Sequence, residues 1–250
     1  MNKYNLYTNT AFLYDFDNRD LLNDDLEICL NHVKETKGDI LEIACGTGRV
    51  TIPVMKSTSR NITAFDLSDE MLSVLKSKLQ NNNFSNLRIE KANMIDFDFG
   101  QKFGLVILTW RAFQFLISEE DAVKCLKCIK KHMDKDTVVV LSVFLPSKEY
   151  GANWIGKESV SYEIIDPKTN NKIRRSTKNL NSNEENQTIE YASIYNIVSP
   201  NGEHEIFEDK VILRYYYPEQ IKKLLTDWGF TIIGEQRTLN DIFLTLKKEF

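Results

Sequence analysis

Short apolar runs alternate with amphipathic stretches through the first 144 residues. Strand-like runs lie at 39–43, 61–66, 87–91, 103–109 and 137–144, with helical spacing of apolar residues between them at 49–55, 68–75 and 118–133. The run at 103–109 is almost continuously apolar, which is typical of a strand buried on both faces of a parallel sheet. The alternation predicts an α/β fold in which helices cover a mostly parallel sheet.

The two flanking parts of the chain follow other patterns. Residues 1–37 are predicted to be mainly helical, with Leu26, Leu30 and Val33 on one face. Between residues 146 and 216 the pattern changes to two-residue alternation. Strands are expected there at 159–165, 188–197 and 210–216, joined by turns at Asp166-Pro167, at Asn201-Gly202 and in the Asn/Glu-rich stretch 179–187.

A helix at 218–228, ended by Gly229, and two strands at 230–234 and 242–246 complete the pattern. The predicted fold class is therefore α/β, with a doubly wound, Rossmann-like sheet of seven strands. The sheet is mostly parallel and its last strand is antiparallel. Residues 1–250 are expected to form a single domain, with a small antiparallel β-sheet inserted at 146–216.

A glycine turn follows the first strand. The segment reads Glu42-Ile-Ala44-Cys-Gly46-Thr-Gly48 and leads directly into a helical pattern. Glycine lacks a Cβ and tolerates positive φ, so the backbone can approach a ligand closely. The helix that follows points its free N–H groups at the same place. The segment predicts a site for a nucleotide-type ligand.

The spacing separates two ligand classes. The dinucleotide fingerprint would place Thr51 at its third glycine, where a small residue is needed for helix packing. An acidic residue followed by small-x-Gly-x-Gly fits without a gap. Asp66 ends the second strand 18 residues beyond Gly48, near the roughly 20 expected for a carboxylate that accepts from ribose hydroxyls. The alternative is an ordinary tight turn, with Asp66 in a loop and Ser68 as a helix N-cap.

This motif resembles the first motif of class I S-adenosylmethionine (SAM)-dependent methyltransferases, with Ala44 at a family glycine. Alanine is a mild departure there, provided that its φ is negative. The segment Asp227-Trp-Gly-Phe230 also resembles the last helix-to-strand turn of that family. The resemblance runs through the whole chain in order, but it is specific at residues 39–71 and weak in the insertion.

The resemblance implies SAM as the cofactor, S-adenosylhomocysteine as the product and no metal. Asp66 would hold the ribose, and Met71 would pack on the adenine or serve only as a core residue. Asn93 stands where relatives often carry an acid, and its amide oxygen can still accept from the adenine amino group. The full set of implied cofactor-binding residues is Glu42, Ala44, Gly46, Gly48, Arg49, Asp66, Leu67, Met71, Asn93, Met94 and Thr109.

Three residues are candidates for the catalytic part of the site. Tyr14 lies in a Tyr-Asp element that resembles the N-terminal segment folded over the cofactor in relatives, although it could be a core aromatic. Arg111 and Gln114 follow the fourth strand and so belong at the carboxyl edge of the sheet. Arg111 either binds a substrate carboxylate or phosphate or pairs with an acidic neighbour for structure. No motif names a base, and a tyrosine or histidine could take the proton of an acceptor amine.

The inserted strands resemble the lid-like sheet of glycine N-methyltransferase and of sugar-amine N-methyltransferases. In those relatives the sheet covers the acceptor pocket and sometimes contributes to dimers. The resemblance therefore implies methyl transfer to a small polar acceptor, with N-methylation ahead of O-methylation, by a monomer or by a homodimer formed through the inserted sheet. Two alternatives stay open: a SAM-binding regulatory protein without turnover and a nicotinamide-dependent reductase.

Composition and charge limit the kinds of partner that are expected. The net charge of −4 over 250 residues gives no electrostatic footprint for nucleic acid. No apolar run approaches the roughly 18 residues of a membrane helix, and the N-terminus lacks the apolar core of a signal peptide, so a cytoplasmic protein without membrane contact is predicted. Cys125 and Cys128 have metal-ligand spacing but lack a second pair, and we expect them to be reduced helix residues.

Overall fold

The computed structural model describes residues 5–17, 23–80, 84–146, 150, 152–238 and 240–249. Its α-helices are α1 (Asn23–Glu35), α2 (Thr51–Ser57), α3 (Asp69–Leu79), α4 (Glu119–Lys131) and α5 (Pro218–Asp227). Its strands are β1 (Ile40–Ile43), β2 (Ile62–Asp66), β3 (Leu87–Lys91), β4 (Phe103–Leu108), β5 (Met133–Phe144), β6 (Glu158–Ile165), β7 (Lys172–Asn183), β8 (Thr188–Val198), β9 (His204–Arg214), β10 (Phe230–Arg237) and β11 (Asp241–Lys248).

Seven strands form the main sheet, in the order β10-β11-β5-β4-β1-β2-β3. Strands β1 to β5 pair in parallel, and β11 is antiparallel to both β5 and β10. This arrangement confirms the predicted Rossmann-like sheet with an antiparallel last strand. The order reverses beside β1, so the carboxyl ends of β1 and β4 border the crevice in which open α/β sheets bind ligands.

The core lies on both faces of this sheet because successive strand residues point to opposite sides. On β1, Leu41 and Ile43 pack toward α4 and α5, whereas Ile40 packs toward α1, α2 and α3. The two layers hold the edge of the sheet rigid. None of the described helices is long and apolar enough to cross a membrane.

Helix α1 buries a different face from the one predicted. Its buried residues are Asp25, Cys29 and Val33, spaced four apart, while Leu26 and Leu30 are only partly buried. The prediction missed this stripe because an aspartate and a cysteine do not look like core residues. Within the described part of the predicted N-terminal helix, residues 11–16 form a 3₁₀ helix instead. Residues 1–4 and 18–22 of this prediction lie outside the described residues.

A second sheet, β6–β9, is antiparallel throughout, with strands in chain order, and it lies between β5 and α5 in the sequence. Three of its strands were predicted, although β9 begins six residues earlier than expected. Strand β7 was missed. Its C-terminal end, residues 179–183, lies in the first half of the stretch 179–187 that was predicted as a turn. Its sequence is polar, with Ile173 as its one fully buried apolar residue.

Candidate functional site

One large cavity opens where the carboxyl edge of the main sheet meets the N-terminal segment and the second sheet. Its volume is about 800 Å³, within the range of roughly 300–1,000 Å³ typical of small-molecule sites. The main-sheet wall contains most of the residues that the sequence assigned to the cofactor: Glu42, Ala44, Gly46, Arg49, Asp66, Leu67, Met71, Asn93, Met94 and Thr109.

The turn after β1 is shaped by left-handed backbone. Ala44, Gly46 and Gly48 have φ of 57°, 55° and 85°. The proviso attached to Ala44 therefore fails, because this alanine occupies the conformation that a glycine would take without strain. A left-handed non-glycine residue costs roughly 1–2 kcal/mol, and such strain is concentrated at functional sites.

The two glycines of this turn serve different purposes. A Cβ on Gly46 would meet nothing within 4 Å, so this residue is needed for its conformation and for its place on the cavity wall. A Cβ on Gly48 would come 2.3 Å from Cδ1 of Leu75. Gly48 is absent from the cavity wall, and it lets the turn pack closely against α3.

Asp66 bridges the first turn and the next helix. One carboxylate oxygen accepts from the Gly46 amide at 2.8 Å and the other accepts from the Ser68 amide at 2.9 Å. Burial raises the pKa of this carboxyl above its ordinary value, and those two amides oppose the rise. Each oxygen keeps a further lone pair, so the carboxylate can accept from ligand hydroxyls while it holds the turn.

Glu42 is the most perturbed acid of the wall. Its side chain is buried, and its Oε2 has no hydrogen-bond partner among the described residues. Burial raises the pKa of this carboxyl to about 8. A buried carboxylate without a partner costs free energy, and a cation in the cavity would remove that cost. SAM carries both a sulfonium and an ammonium, so Glu42 fits the implied cofactor.

Arg49 is paired inside the wall. Its guanidinium forms a bidentate ion pair with the buried Asp25 of α1 and lies over the Trp110 ring, 4.5 Å from the centroid. The ion pair explains why α1 buries an aspartate. Arg49 borders the cavity with its charge already offset.

The other predicted cofactor residues lie where the resemblance implied, and their roles stay predictions. Met71 is buried, and its amide is capped by the Ser68 hydroxyl at 3.2 Å. The amide oxygen of Asn93 accepts from the Ile95 backbone at 3.2 Å. Leu67, Met94 and Thr109 complete this part of the cavity wall.

Tyr14 reaches the cavity from the N-terminal segment. Burial raises the pKa of its hydroxyl to about 12 despite the nearby Arg49 and a hydrogen bond with Trp110. The hydroxyl is therefore protonated at neutral pH and acts as a hydrogen-bonding group. None of the three histidines lines the cavity.

Arg111 lies on the cavity wall, but it already has an acidic partner. Its Nε is 3.1 Å from Oδ1 of Asp241, and its guanidinium also lies over the Phe144 ring. Burial alone would lower the pKa of Arg111, and Asp241 reverses this effect. Of the two alternatives left open for Arg111, the structure shows the pairing with an acidic neighbour.

Gln114 requires a correction, since it is fully buried and absent from the cavity wall. Its amide oxygen accepts from the Phe144 amide at 2.8 Å and its amide nitrogen donates to the Arg214 carbonyl at 3.2 Å. Trp110 and Arg111 both have positive φ, at 54° and 67°. This reversal after β4 turns Gln114 into the core, where it joins β5 to the end of β9.

The opposite wall was not predicted. It is formed by side chains from the N-terminal segment and the second sheet, including Tyr7, Ser161, Arg175, Thr177, Tyr191 and Tyr195. Arg175 and Thr177 lie on β7, the strand that the sequence analysis missed. Two-residue alternation of Ile173, Arg175 and Thr177 was the available signal, and a single apolar residue made it weak.

Comparison with known proteins agrees with this geometry. A family model described as "Methyltransferase domain" matches residues 40–136, which run from β1 into β5. This part of the chain is therefore similar to a methyltransferase domain. This match supports SAM, the cofactor that the sequence predicted. The cavity wall at Glu42, Gly46 and Asp66 belongs to the matched part.

A curated relative matches the same methyltransferase domain. It is "Putative methyltransferase YqeM" of Bacillus subtilis (strain 168), 28% identical over 108 residues, an alignment that covers 43% of this chain and 42% of that protein. The matched part is thus less than half the length of the relative.

Solved structures share the fold of the whole chain. The methyltransferase CcbJ from Streptomyces caelestis has a TM-score of 0.79 at 17% identity and covers 100% of both chains. The sugar N-methyltransferase KedS8 from Streptoalloteichus sp ATCC 53650 has a TM-score of 0.72 at 16% identity, covering 96% of this chain and 92% of the other. At these identities the likeness establishes the fold, which here extends beyond the methyltransferase domain to the second sheet.

Proposed function

We propose that this protein is an enzyme that transfers the methyl group of SAM to a nitrogen or oxygen of a small polar molecule by in-line displacement. The observation that carries the proposal is the single cavity of about 800 Å³ shared by the methyltransferase domain and the second sheet. One wall holds the predicted cofactor residues. The other wall holds side chains from outside the matched domain, which are available for an acceptor.

Bound SAM supplies a methyl group on a sulfonium, which is an activated leaving group. The protein's task is then to bind and orient the two partners, and positioning alone can remove much of the barrier. The Gly46 turn and Asp66 hold the nucleoside end. Glu42, whose pKa of about 8 keeps it largely protonated at neutral pH when no cation is near, ionises when the cationic end binds beside it. The protonated Tyr14 hydroxyl orients the acceptor by hydrogen bonding.

A nitrogen acceptor is favoured over an oxygen acceptor. The likeness to KedS8, which is described as a sugar N-methyltransferase, supports this order. An amine also needs less help than a hydroxyl, because it is nucleophilic once neutral and the cavity wall offers no histidine as a base. The second sheet acts as a lid over the acceptor in this proposal, and the protein acts as a monomer or as a homodimer formed through that sheet.

Isothermal titration of the purified chain with SAM, S-adenosylhomocysteine and NADH tests the cofactor. Binding of the two adenosyl ligands without NADH is expected, and NADH binding alone would revive the reductase alternative. A screen of small amines, amino acids and amino sugars for released S-adenosylhomocysteine then tests turnover. SAM binding without release from any acceptor would favour a regulatory protein.

A further inference from the structure

The arginines of the cavity differ in whether an acidic side chain forms an ion pair with them. Arg49 pairs with Asp25 and Arg111 pairs with Asp241. Arg175, on β7, also lies on the cavity wall, yet no carboxylate of the described residues forms an ion pair with it. A guanidinium cannot lose its charge at physiological pH, so Arg175 brings to the cavity a positive charge that no ion pair among the described residues offsets.

The groups around Arg175 are hydroxyls. Its Nη1 donates to Oγ of Ser161 at 2.9 Å, and its guanidinium carbon lies 5.9 Å from the Tyr195 ring centroid. The other titratable neighbours are Tyr7, Tyr14, Tyr162 and Tyr191. Burial raises the pKa of each of these tyrosines, so they stay neutral and do not offset the charge.

The sheet directs this cluster into the cavity. Arg175 and Thr177 are two residues apart on β7 and so lie on one face, and both line the cavity together with Ser161 of β6. The hydroxyl oxygens of Ser161 and Thr177 are 3.5 Å apart. One cation with two adjacent hydroxyl groups is a suitable set of donors for a carboxylate or a phosphate.

An apolar cluster also lines the cavity. Its lining residues are Phe144, Tyr150, Trp154, Ile189 and Leu213. Tyr150 packs edge-on against both Phe144 and Trp154, with ring centroids 6.1 and 5.6 Å apart. An acceptor that reaches the anion-binding cluster can therefore bury an apolar body against these rings.

We propose that Arg175, with the hydroxyls of Ser161 and Thr177, binds an anionic group of the methyl acceptor, and that this acceptor joins a carboxylate or phosphate to an apolar body. The inference rests on the proposed function, because it names the substrate class of that same site.

The test uses binding, so that it does not depend on having found the true acceptor. Phenylacetate, phenyl phosphate and the neutral phenylacetamide are titrated into the protein saturated with S-adenosylhomocysteine, and separately into the protein alone. The comparison uses wild type, Arg175→Met and Arg175→Lys. The control is Arg174→Met, since Arg174 is exposed on the same strand and pairs with Glu163.

At least one anionic probe is expected to bind wild type and Arg174→Met, and to lose at least about tenfold in affinity in Arg175→Met. Arg175→Lys should fall between them, since it keeps the charge and loses the planar fork. The stronger of the phenylacetate and phenyl phosphate responses identifies the anion. Phenylacetamide should bind more weakly than the anions and be insensitive to the substitution.

Three results would overturn the inference. They are equal binding of the anions to wild type and Arg175→Met, no binding of either anion to wild type, and a parallel loss of SAM affinity in Arg175→Met. The last would mean that Arg175 holds the carboxylate of the cofactor. Failure of the proposed function gives a different result, because wild type would then bind neither SAM nor S-adenosylhomocysteine while the anion titration of the unliganded protein could still be read.

Discussion

The two walls of the cavity are built by different means. The main-sheet wall depends on backbone: strand ends, left-handed φ at Ala44 and Gly46, and amides that meet Asp66. The second-sheet wall depends on side chains that alternate along strands, with Arg175 among tyrosines. The first wall offers negative charge to a ligand and the second offers positive charge.

This difference separates what each wall is suited to recognise. A backbone turn with fixed geometry suits one ligand that every member of a family shares, and its glycine requirements leave a pattern in the sequence. Side chains on a strand can be exchanged singly, so such a wall suits an acceptor that differs between relatives. Substitutions on the main-sheet wall should therefore change the affinity for the cofactor, and substitutions on the second-sheet wall should change the affinity for the acceptor.

The largest separable effect is expected at Asp66. Asp66→Ala removes an acceptor for ligand hydroxyls and the bridge between Gly46 and Ser68, and should weaken SAM binding by about 1–3 kcal/mol, roughly 5- to 150-fold. Titration calorimetry measures this change. Asp96→Ala, an exposed acid of a neighbouring loop that does not line the cavity, is the control. A folded Asp66→Ala protein with wild-type affinity would remove Asp66 from the site.

A pH effect is expected at Glu42. Burial raises its folded-state pKa from 4.5 to about 8. The folded chain therefore keeps this proton where the unfolded chain has lost it, so raising the pH from about 4.5 to about 8 should lower the free energy of unfolding. SAM, as a cation, favours the ionised carboxylate, and its affinity should rise over the same window by at most about tenfold per pH unit.

Glu42→Gln supplies the matched comparison, since it cannot ionise. Thermal unfolding of both proteins across this pH window should show a slope in the wild type that the variant lacks. SAM titrations in two buffers of different ionisation enthalpy should show proton release with the wild type only. Parallel pH profiles for the two proteins would mean that Glu42 keeps an ordinary pKa.

Arg111 should affect stability more than acceptor binding, because Asp241 already holds it. Arg111→Met leaves that carboxylate without its partner and should lower the free energy of unfolding by about 1–3 kcal/mol. The double variant Arg111→Met/Asp241→Asn should recover part of the loss. Chemical denaturation measures both, with Arg237→Met in the exposed Arg237–Glu235 pair as a control expected to lose under about 1 kcal/mol.

The contrast between paired and unpaired arginines would not hold if Arg111→Met kept the stability of the wild type and lost affinity for the anionic probes, as is expected of Arg175→Met. Arg111 would then belong to the acceptor site, in agreement with the first of the two alternatives given for it in the sequence analysis.

The smallest effect is expected at Ala44, whose φ of 57° suits glycine. Ala44→Gly relieves the left-handed strain but increases the entropy of the unfolded chain, and the net gain should be about 0.5–1 kcal/mol. Differential scanning calorimetry should record a small rise in Tm. Ala64→Gly, within β2, should lower Tm, and a lower Tm for Ala44→Gly as well would show that this alanine is unstrained.

Most of the main sheet was predictable because its strands are buried on both faces and read as apolar runs. The turn and the acid of the main-sheet wall were predictable for a related reason, since the turn needs glycine and the acid ends a strand. Strand β7 was missed because its inner face lines a cavity rather than a core, so Arg175 and Thr177 replace the apolar residues that alternation would need.

The two ion pairs of the site could not be predicted from the spacing of residues along the sequence. Asp25 and Arg49 are 24 residues apart, and Arg111 and Asp241 are 130 apart. Nothing local marks a partner at such distances. Gln114 was misplaced for a backbone reason, since the left-handed conformations of Trp110 and Arg111 reverse the chain, and neither residue type favours that conformation.

The N-terminal segment 5–17 is tied to both walls. Thr10 donates to Asp209 of the second sheet at 2.7 Å, and Asn5 exchanges two hydrogen bonds with the backbone of Ile212. On the other side, the Thr47 hydroxyl donates to Asp15 at 2.7 Å, and the Ser68 hydroxyl donates to the Leu6 carbonyl at 2.5 Å. A motion that lifted this segment from the cavity would have to break contacts to both walls at once, so these hydrogen bonds would lengthen the residence time of a molecule bound beneath it.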